Sequence, residues 1–367
     1  MNRFFLLAIV ATSLQAAAQN NTITWNKVLT GTIGNYPVTM YLQKTGKAYN
    51  GYYYYNSKQI PMRLTDSDSN QDSVHISAYE NNNAEYFDGI YQSGIFTGTW
   101  KNVLEDKTTK LGFSFTENRT LPLPYFDVVF TAYNTEYPVG LEKGSNPNYS
   151  YFSAALWPVS TTPAALAGFL KSWANKKFGN KNASQPIGKF FVAEKNREVV
   201  SWKKDLAAIK TSEIKEFPGG HSLSSERRQL VMYQSDRYIS IADFSWGYTG
   251  GAHGNGGTGM SVLDIKNLKQ LKLADLFTPT GKQKLAALLE AAARAKLNIA
   301  KGAKLSYEDG GQLLVSKIEP NENFYITGRG VGFNYMPYEI AAYAFGEINL
   351  FLSFEKLQGL LQPGFGE

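Results

Sequence analysis

Between residues 22 and 117, apolar and polar positions alternate in short runs separated by turn residues. Val38, Met40 and Leu42 alternate with Thr39, Tyr41 and Gln43, and Lys44-Thr45-Gly46 follows as a turn. Tyr52–Tyr55, then Ile60, Met62 and Leu64, then Val74–Tyr79 and Gly94–Trp100 repeat the pattern. Turn signals at Asn56-Ser57, Asp66–Asp72 and Asn81–Asn83 separate them. Period-2 runs spaced about ten residues apart predict an antiparallel β-meander or small barrel over residues 19–120. The four tyrosines at 52–55 read as cross-strand aromatic pairs, two pointing in and two out, in preference to a sugar-stacking platform. Phe96–Asn102, FTGTWKN, is faintly similar to an avidin-type barrel strand.

Pro122 and Pro124 interrupt pairing and mark a boundary at 118–124. Beyond it the period changes. Tyr125–Tyr133 and Tyr149–Pro158 read as strands. Thr162 as N-cap and Pro163 at the first position open a predicted helix whose apolar face is Leu166, Phe169, Leu170 and Trp173, with Gly179 as its stop. A second helix is predicted from about Gly281 to Lys301, with Leu285, Leu288, Leu289, Ala292 and Leu297 on one stripe. Strands at Asn323–Thr327 and Ile348–Leu352 and a short final helix from Ser353 through Leu361 complete the pattern. Helices and strands mix without regular βαβ alternation. The fold class is therefore α+β, an N-terminal β-meander or small barrel followed by a mixed α+β region.

The stretch Asp236–Asp264 is the most informative. On its first arm Tyr238, Ser240, Ala242, Phe244, Trp246 and Tyr248 share one face, and Ile239, Ile241, Asp243 and Ser245 the other. Met260–Leu263 forms the returning arm. Between them Thr249–Gly259 carries six glycines, at 250, 251, 254, 256, 257 and 259, with His253 in their midst. Ordering so many glycines costs conformational entropy, which packing or a ligand must offset.

Composition adds an address. Arg3, the apolar run Phe4–Val10 and Ala16-Ala17-Ala18 have the layout of a secretory signal peptide over 1–18, so the mature chain is expected to be exported, periplasmic or extracellular. No later apolar run is long enough for a transmembrane anchor. The chain has no cysteine, which excludes disulfides, thiolate catalysis, cysteine-ligated metals and an N-terminal lipidated cysteine. The formal net charge is +6, yet residues 20–120 balance nine basic against nine acidic side chains. No basic tract is interleaved with aromatics, so no nucleic-acid partner is expected.

Phe244–Ile265, FSWGYTGGAHGNGGTGMSVLDI, followed by Leu271–Phe277, LKLADLF, resembles the core of a domain of unknown function. That domain is found in RsiV-type anti-sigma-factor ectodomains and beside the catalytic domain of PdaC-type peptidoglycan deacetylases. Met336–Gly346, MPYEIAAYAFG, resembles the Pro-Tyr-Glu segment of the same family, and residues 125–243 resemble the PdaC-associated domain that precedes it. The resemblance covers about two-thirds of the chain. It divides the C-terminal part into 125–243 and 244–367, expected to form one compact unit. It implies an α+β envelope domain used for recognition, since RsiV-type members sense lysozyme. The chain lacks the deacetylase motifs, the transmembrane helix and the sigma-binding segment of those relatives.

Four constellations could carry chemistry. His75, His221 and His253 show no metal-ligand spacing, and no metal or other cofactor is expected. Gly220–Ser224 lacks the strand that a nucleophile elbow needs before it, and Gly328–Gly332 reads as a β-turn and not a phosphate cradle. Asp243, His253 and Glu339 form the one acid/base trio worth weighing. Asp243 shares the face of two isoleucines, and Glu339 has a structural use near a helix start. The expectation is a non-catalytic binding module for a lysozyme-like protein or peptidoglycan. Its ligand-binding candidates are Asp243, Trp246, Tyr248, Gly250, Gly251, His253, Tyr338 and Glu339. The alternative is a cell-wall glycan or peptide hydrolase using His253 with Asp243 and Glu339.

Overall fold

Eight consecutive strands close into an antiparallel barrel, because β1 (Thr24–Ile33) pairs with both its neighbour β2 (Tyr36–Thr45) and the distant β8 (Lys107–Glu117). Between them run β3 (Ala48–Tyr55), β4 (Met62–Asp66), β5 (Val74–Glu80), β6 (Asn83–Gln92) and β7 (Ile95–Leu104). The computed structural model describes residues 24–70, 72–80, 83–105, 107–120, 124–182 and 184–365. The signal peptide expected at 1–18 and part of the 118–124 boundary lie outside the described residues. Alternation turns Leu29, Met40, Leu42, Phe87, Phe96, Phe113 and Phe115 inward, so the barrel is filled by its own side chains. Among them Glu85 is buried. Its carboxylate accepts from the Tyr53 hydroxyl at 2.6 Å, the Tyr55 hydroxyl at 3.0 Å and the Trp100 indole at 2.7 Å.

The tyrosine run follows the inside–outside alternation, and both sets are used. Tyr53 and Tyr55 reach Glu85 in the interior. Tyr52 and Tyr54 lie on the outer surface but are buried there by the rest of the chain, Tyr54 with Val231 and Ile241, Tyr52 with Leu230, Met232 and Tyr325. The run therefore fastens the barrel to the C-terminal region.

That region is built on a six-stranded sheet, ordered β14-β13-β12-β11-β10-β9. Its strands are β9 (Phe126–Glu136), β10 (Asn148–Pro158), β11 (Leu223–Gln234), β12 (Tyr238–Tyr248), β13 (Asn255–Asp264) and β14 (Lys269–Gln270). Only the β10–β11 pair is parallel. Parallel neighbours need a crossover, and α1 (Ala164–Phe178), α2 (Ile187–Ala207) and α3 (Thr211–Glu216) supply it. One face of the sheet packs Val231, Ile239 and Ile241 against Leu170 and Trp173 of α1. The alternate residues Leu230, Met232, Ala242 and Met260 face Tyr325 of a three-stranded sheet, β15 (Phe324–Thr327), β16 (Gly330–Tyr335) and β17 (Ile348–Ser353). After α4 (Leu273–Leu276), α5 (Pro279–Leu297) packs Leu285 and Leu289 in a further core with Phe333 and with Phe324 and Ile326, the β15 residues that alternate with Tyr325. The architecture is β-rich α+β, an eight-stranded barrel followed by a mixed region.

Several local expectations change. Pro163, not Thr162, is the N-cap residue of α1, and the Thr162 hydroxyl is buried without a partner. Asn298 takes a left-handed conformation and ends α5 before Lys301. Residues 354–360 form consecutive turns in place of the expected final helix. The division at 243/244 falls inside β12, so the two C-terminal regions share one sheet. Gly328 and Arg329 make the expected turn, between β15 and β16.

Candidate functional site

β12 and β13 stay in register from Tyr238↔Asp264 to Gly247↔Asn255. The connection is therefore 249–254, shorter than expected, and Gly256, Gly257 and Gly259 belong to β13. Gly250 and Gly251 turn the chain at φ 89° and 93°, a region that L-residues with side chains rarely enter. The Tyr248 hydroxyl donates to the Gly251 carbonyl at 2.9 Å and braces this turn. Gly254 serves differently. A Cβ there would lie 2.3 Å from Cζ2 of Trp246, so the missing side chain is what lets the indole lie on the returning backbone.

His253 is exposed at this tip. Its ring stacks on Tyr343, with centroids 4.3 Å apart and planes 23° from parallel. Nδ1–H donates to the Gly254 carbonyl at 2.8 Å, and the Tyr343 hydroxyl donates to the same oxygen at 2.9 Å. Tyr338 leans on Tyr343 at 5.6 Å. It is 53% exposed and holds φ at +70°, a strained conformation for a bulky residue. Trp246 and Phe345 are also partly exposed. Met336 packs onto β13 at Gly257, where a Cβ would meet its sulfur at 2.2 Å. The glycine hairpin and the 336–346 segment, far apart in sequence, thus build one exposed aromatic surface.

The acid/base trio is not assembled. Asp243 lies in β12 four residues before Gly247, about 13 Å along the strand. Its carboxylate pairs with Lys177 at 3.2 Å and accepts from Gln229 at 2.9 Å and Ser261 at 3.3 Å. Burial raises its pKa above the ordinary aspartate value, against the opposing pull of Lys177 and these hydrogen bonds. Glu339 accepts from the Asn321 amide at 2.7 Å and from the Met336 backbone N–H at 2.8 Å, which fastens the turn that carries Tyr338. Trp246, Tyr248, Gly250, Gly251, His253 and Tyr338 lie at or beside the tip; Glu339 supports it, and Asp243 forms a separate, half-buried pair with Lys177.

The other histidines lie elsewhere. His75 bonds Asp88 and Ser73 in the barrel, and His221 ends a single 3-10 turn. Among the described residues no group of three His, Cys, Asp or Glu side chains is placed to hold a metal. Tyr343 and Phe345 were not singled out from sequence, although both stand in the same short segment as Tyr338; the aromatic density of that segment was the available signal.

Residues 274–355 match the model of a family described as a protein of unknown function, DUF3298, and so form a DUF3298 domain. This span includes α5, the three-stranded sheet and the 336–346 segment, and begins after the glycine hairpin. A crystal structure of a DUF3298 family member from Bacteroides fragilis is similar at 24% identity and a TM-score of 0.56, covering 65% of this chain and 94% of that one. A DUF3298 family protein from Pseudomonas aeruginosa is 20% identical with a TM-score of 0.45, covering 65% of this chain and 95% of that one. The former supports the fold. No curated protein matches the chain.

Proposed function

We propose that this chain is an exported envelope protein that recognises a protein partner through the aromatic tip of the β12–β13 hairpin. The observation carrying this reading is the surface cluster of Trp246, His253 and Tyr338 around the half-buried Tyr343, braced from below by glycine contacts and Glu339. Tyrosine and tryptophan bury large, rigid area at low entropic cost, and such residues dominate binding energy at protein interfaces. Local strain at Tyr338 accords with a site kept for contact and not for stability. The resemblance of both segments to lysozyme-sensing ectodomains makes a muramidase-like protein the first partner to test, and peptidoglycan the second. The separate partners of Asp243 and Glu339 give the hydrolase reading no support. Immobilised protein should retain lysozyme from solution, and a Trp246→Ser, Tyr338→Ser variant of unchanged melting temperature should not. Equal retention by both, or none by either, removes the tip as the contact surface.

A further inference from the structure

A concavity lies where the barrel meets the two sheets. Its volume is about 770 Å³, within the ~300–1,000 Å³ typical of small-molecule sites. Tyr52 and Arg63 of the barrel line it, as do Phe345, Glu347 and Asn349 from around β17. The Arg63 guanidinium lies 3.8 Å from the Phe244 ring centroid, which orients it, and its buried Nε has no hydrogen-bond partner. A buried donor left unpaired costs roughly 1–3 kcal/mol, so this position calls for an acceptor.

The remaining groups restrict what that acceptor belongs to. Glu347 is fixed by the Thr258 hydroxyl on one carboxylate oxygen and the Asn334 amide on the other, each at 2.8 Å. It offers a rigid acceptor. The Asn349 side-chain oxygen takes the Tyr325 hydroxyl at 2.9 Å, which leaves its NH2 as a donor. Burial pushes the Tyr52 hydroxyl up to about 12, with Arg63 opposing and Glu347 adding, so it remains a donor at neutral pH. The wall thus presents two cations, Arg63 and Lys296, neutral donors and one carboxylate together, with the Phe345 ring beside them. A fatty acid would bring no donor to the Glu347 lone pairs that Thr258 and Asn334 leave open, and a neutral sugar would leave Arg63 without an anion.

We propose that this cleft binds a saccharide carrying a carboxylate. Its acid group sits on Arg63, its hydroxyl or acetamido N–H groups donate to Glu347, and its ring oxygens accept from Asn349 and Tyr52. Charge-assisted contacts to a guanidinium are about twice as strong as neutral ones, so the acid should dominate selectivity. This site goes beyond the tip reading and does not depend on it.

Calorimetric titration of the intact protein tests it with three probes: N-acetylglucosaminyl-N-acetylmuramic acid, neutral N,N′-diacetylchitobiose, and the dipeptide alanyl-alanine. The acidic disaccharide should bind about tenfold more tightly than the neutral one. Arg63→Gln should abolish that preference, whereas Glu347→Gln should weaken both sugars and keep it. Val200→Ser, on the exposed side of α2 and away from both the cleft and the tip, should leave all affinities unchanged. Equal affinity for the two sugars, a preference for the dipeptide, or no binding of any probe overturns the proposal.

Discussion

His253 and Tyr343 stack at 4.3 Å and both donate to a single acceptor, the Gly254 carbonyl. This pair joins the glycine hairpin to the DUF3298 segment. An exposed stack of this kind contributes about 0.5–1.5 kcal/mol. His253→Ala should therefore lower unfolding free energy by no more than that. Tyr343→Ala should cost more, because each variant loses the stack and one donor to Gly254 but only Tyr343→Ala also removes the support under Tyr338. Equilibrium urea denaturation of the two variants checks the order; a larger loss for His253→Ala would refute the arrangement.

Tyr338 separates stability from recognition. Glycine adopts φ near +70° without strain, and relieving such strain is worth about 1 kcal/mol. Tyr338→Gly should leave stability unchanged or raise it by about that much, while lysozyme retention is lost. Differential scanning calorimetry beside a binding assay reads both. A clear drop in melting temperature would mean that the ring holds the fold together.

Glu85 gathers three donors inside the barrel. Deleting an acceptor strands its donors at roughly 1–3 kcal/mol for each buried group left unsatisfied, part of which water or rearrangement recovers. Glu85→Ala should destabilise the barrel by about 2–4 kcal/mol, more than Glu85→Gln, whose oxygen still accepts. Chemical denaturation of the two variants measures the difference.

Asp243 supplies a pH test. Its folded pKa is raised, first by burial, so ionising it is harder in the folded state than in the unfolded one. The cost to stability is absent below the ordinary aspartate pKa and grows as pH rises from there through the folded value. Asp243→Asn should thus be at least as stable as the parent at pH 7, and any advantage should vanish at about pH 3. Thermal melting across that range decides it; a variant that loses stability only at neutral pH would show that the Lys177 pair outweighs burial.

The barrel, α1 and α5 were legible because their apolar positions keep a single period. α2 was not, because two positions facing the sheet are glutamates. Glu194 accepts from the Tyr151 hydroxyl at 2.7 Å and pairs with Arg227, and Glu198 accepts from the Tyr149 hydroxyl. Those partners let charged residues stand where a stripe of apolar ones was sought. β11 escaped notice for the complementary reason: Arg227 and Arg228 sit within the strand, Arg228 packed on Phe152 and bonded to Thr45. Both segments of the tip could be picked out singly. Their junction depends on Met336 and Tyr343 meeting a distant hairpin, which no local pattern records. The cleft around Arg63 and Glu347 draws on opposite ends of the chain and leaves no periodic trace.

Hydrogen exchange of the intact protein with and without lysozyme tests the central claim most directly. Amides of 246–254 and of 336–346 should gain protection together on addition of the partner, and those of the barrel should not. Protection confined to the barrel or to α2, or unchanged exchange at both tip segments while complex forms, would contradict recognition through this surface.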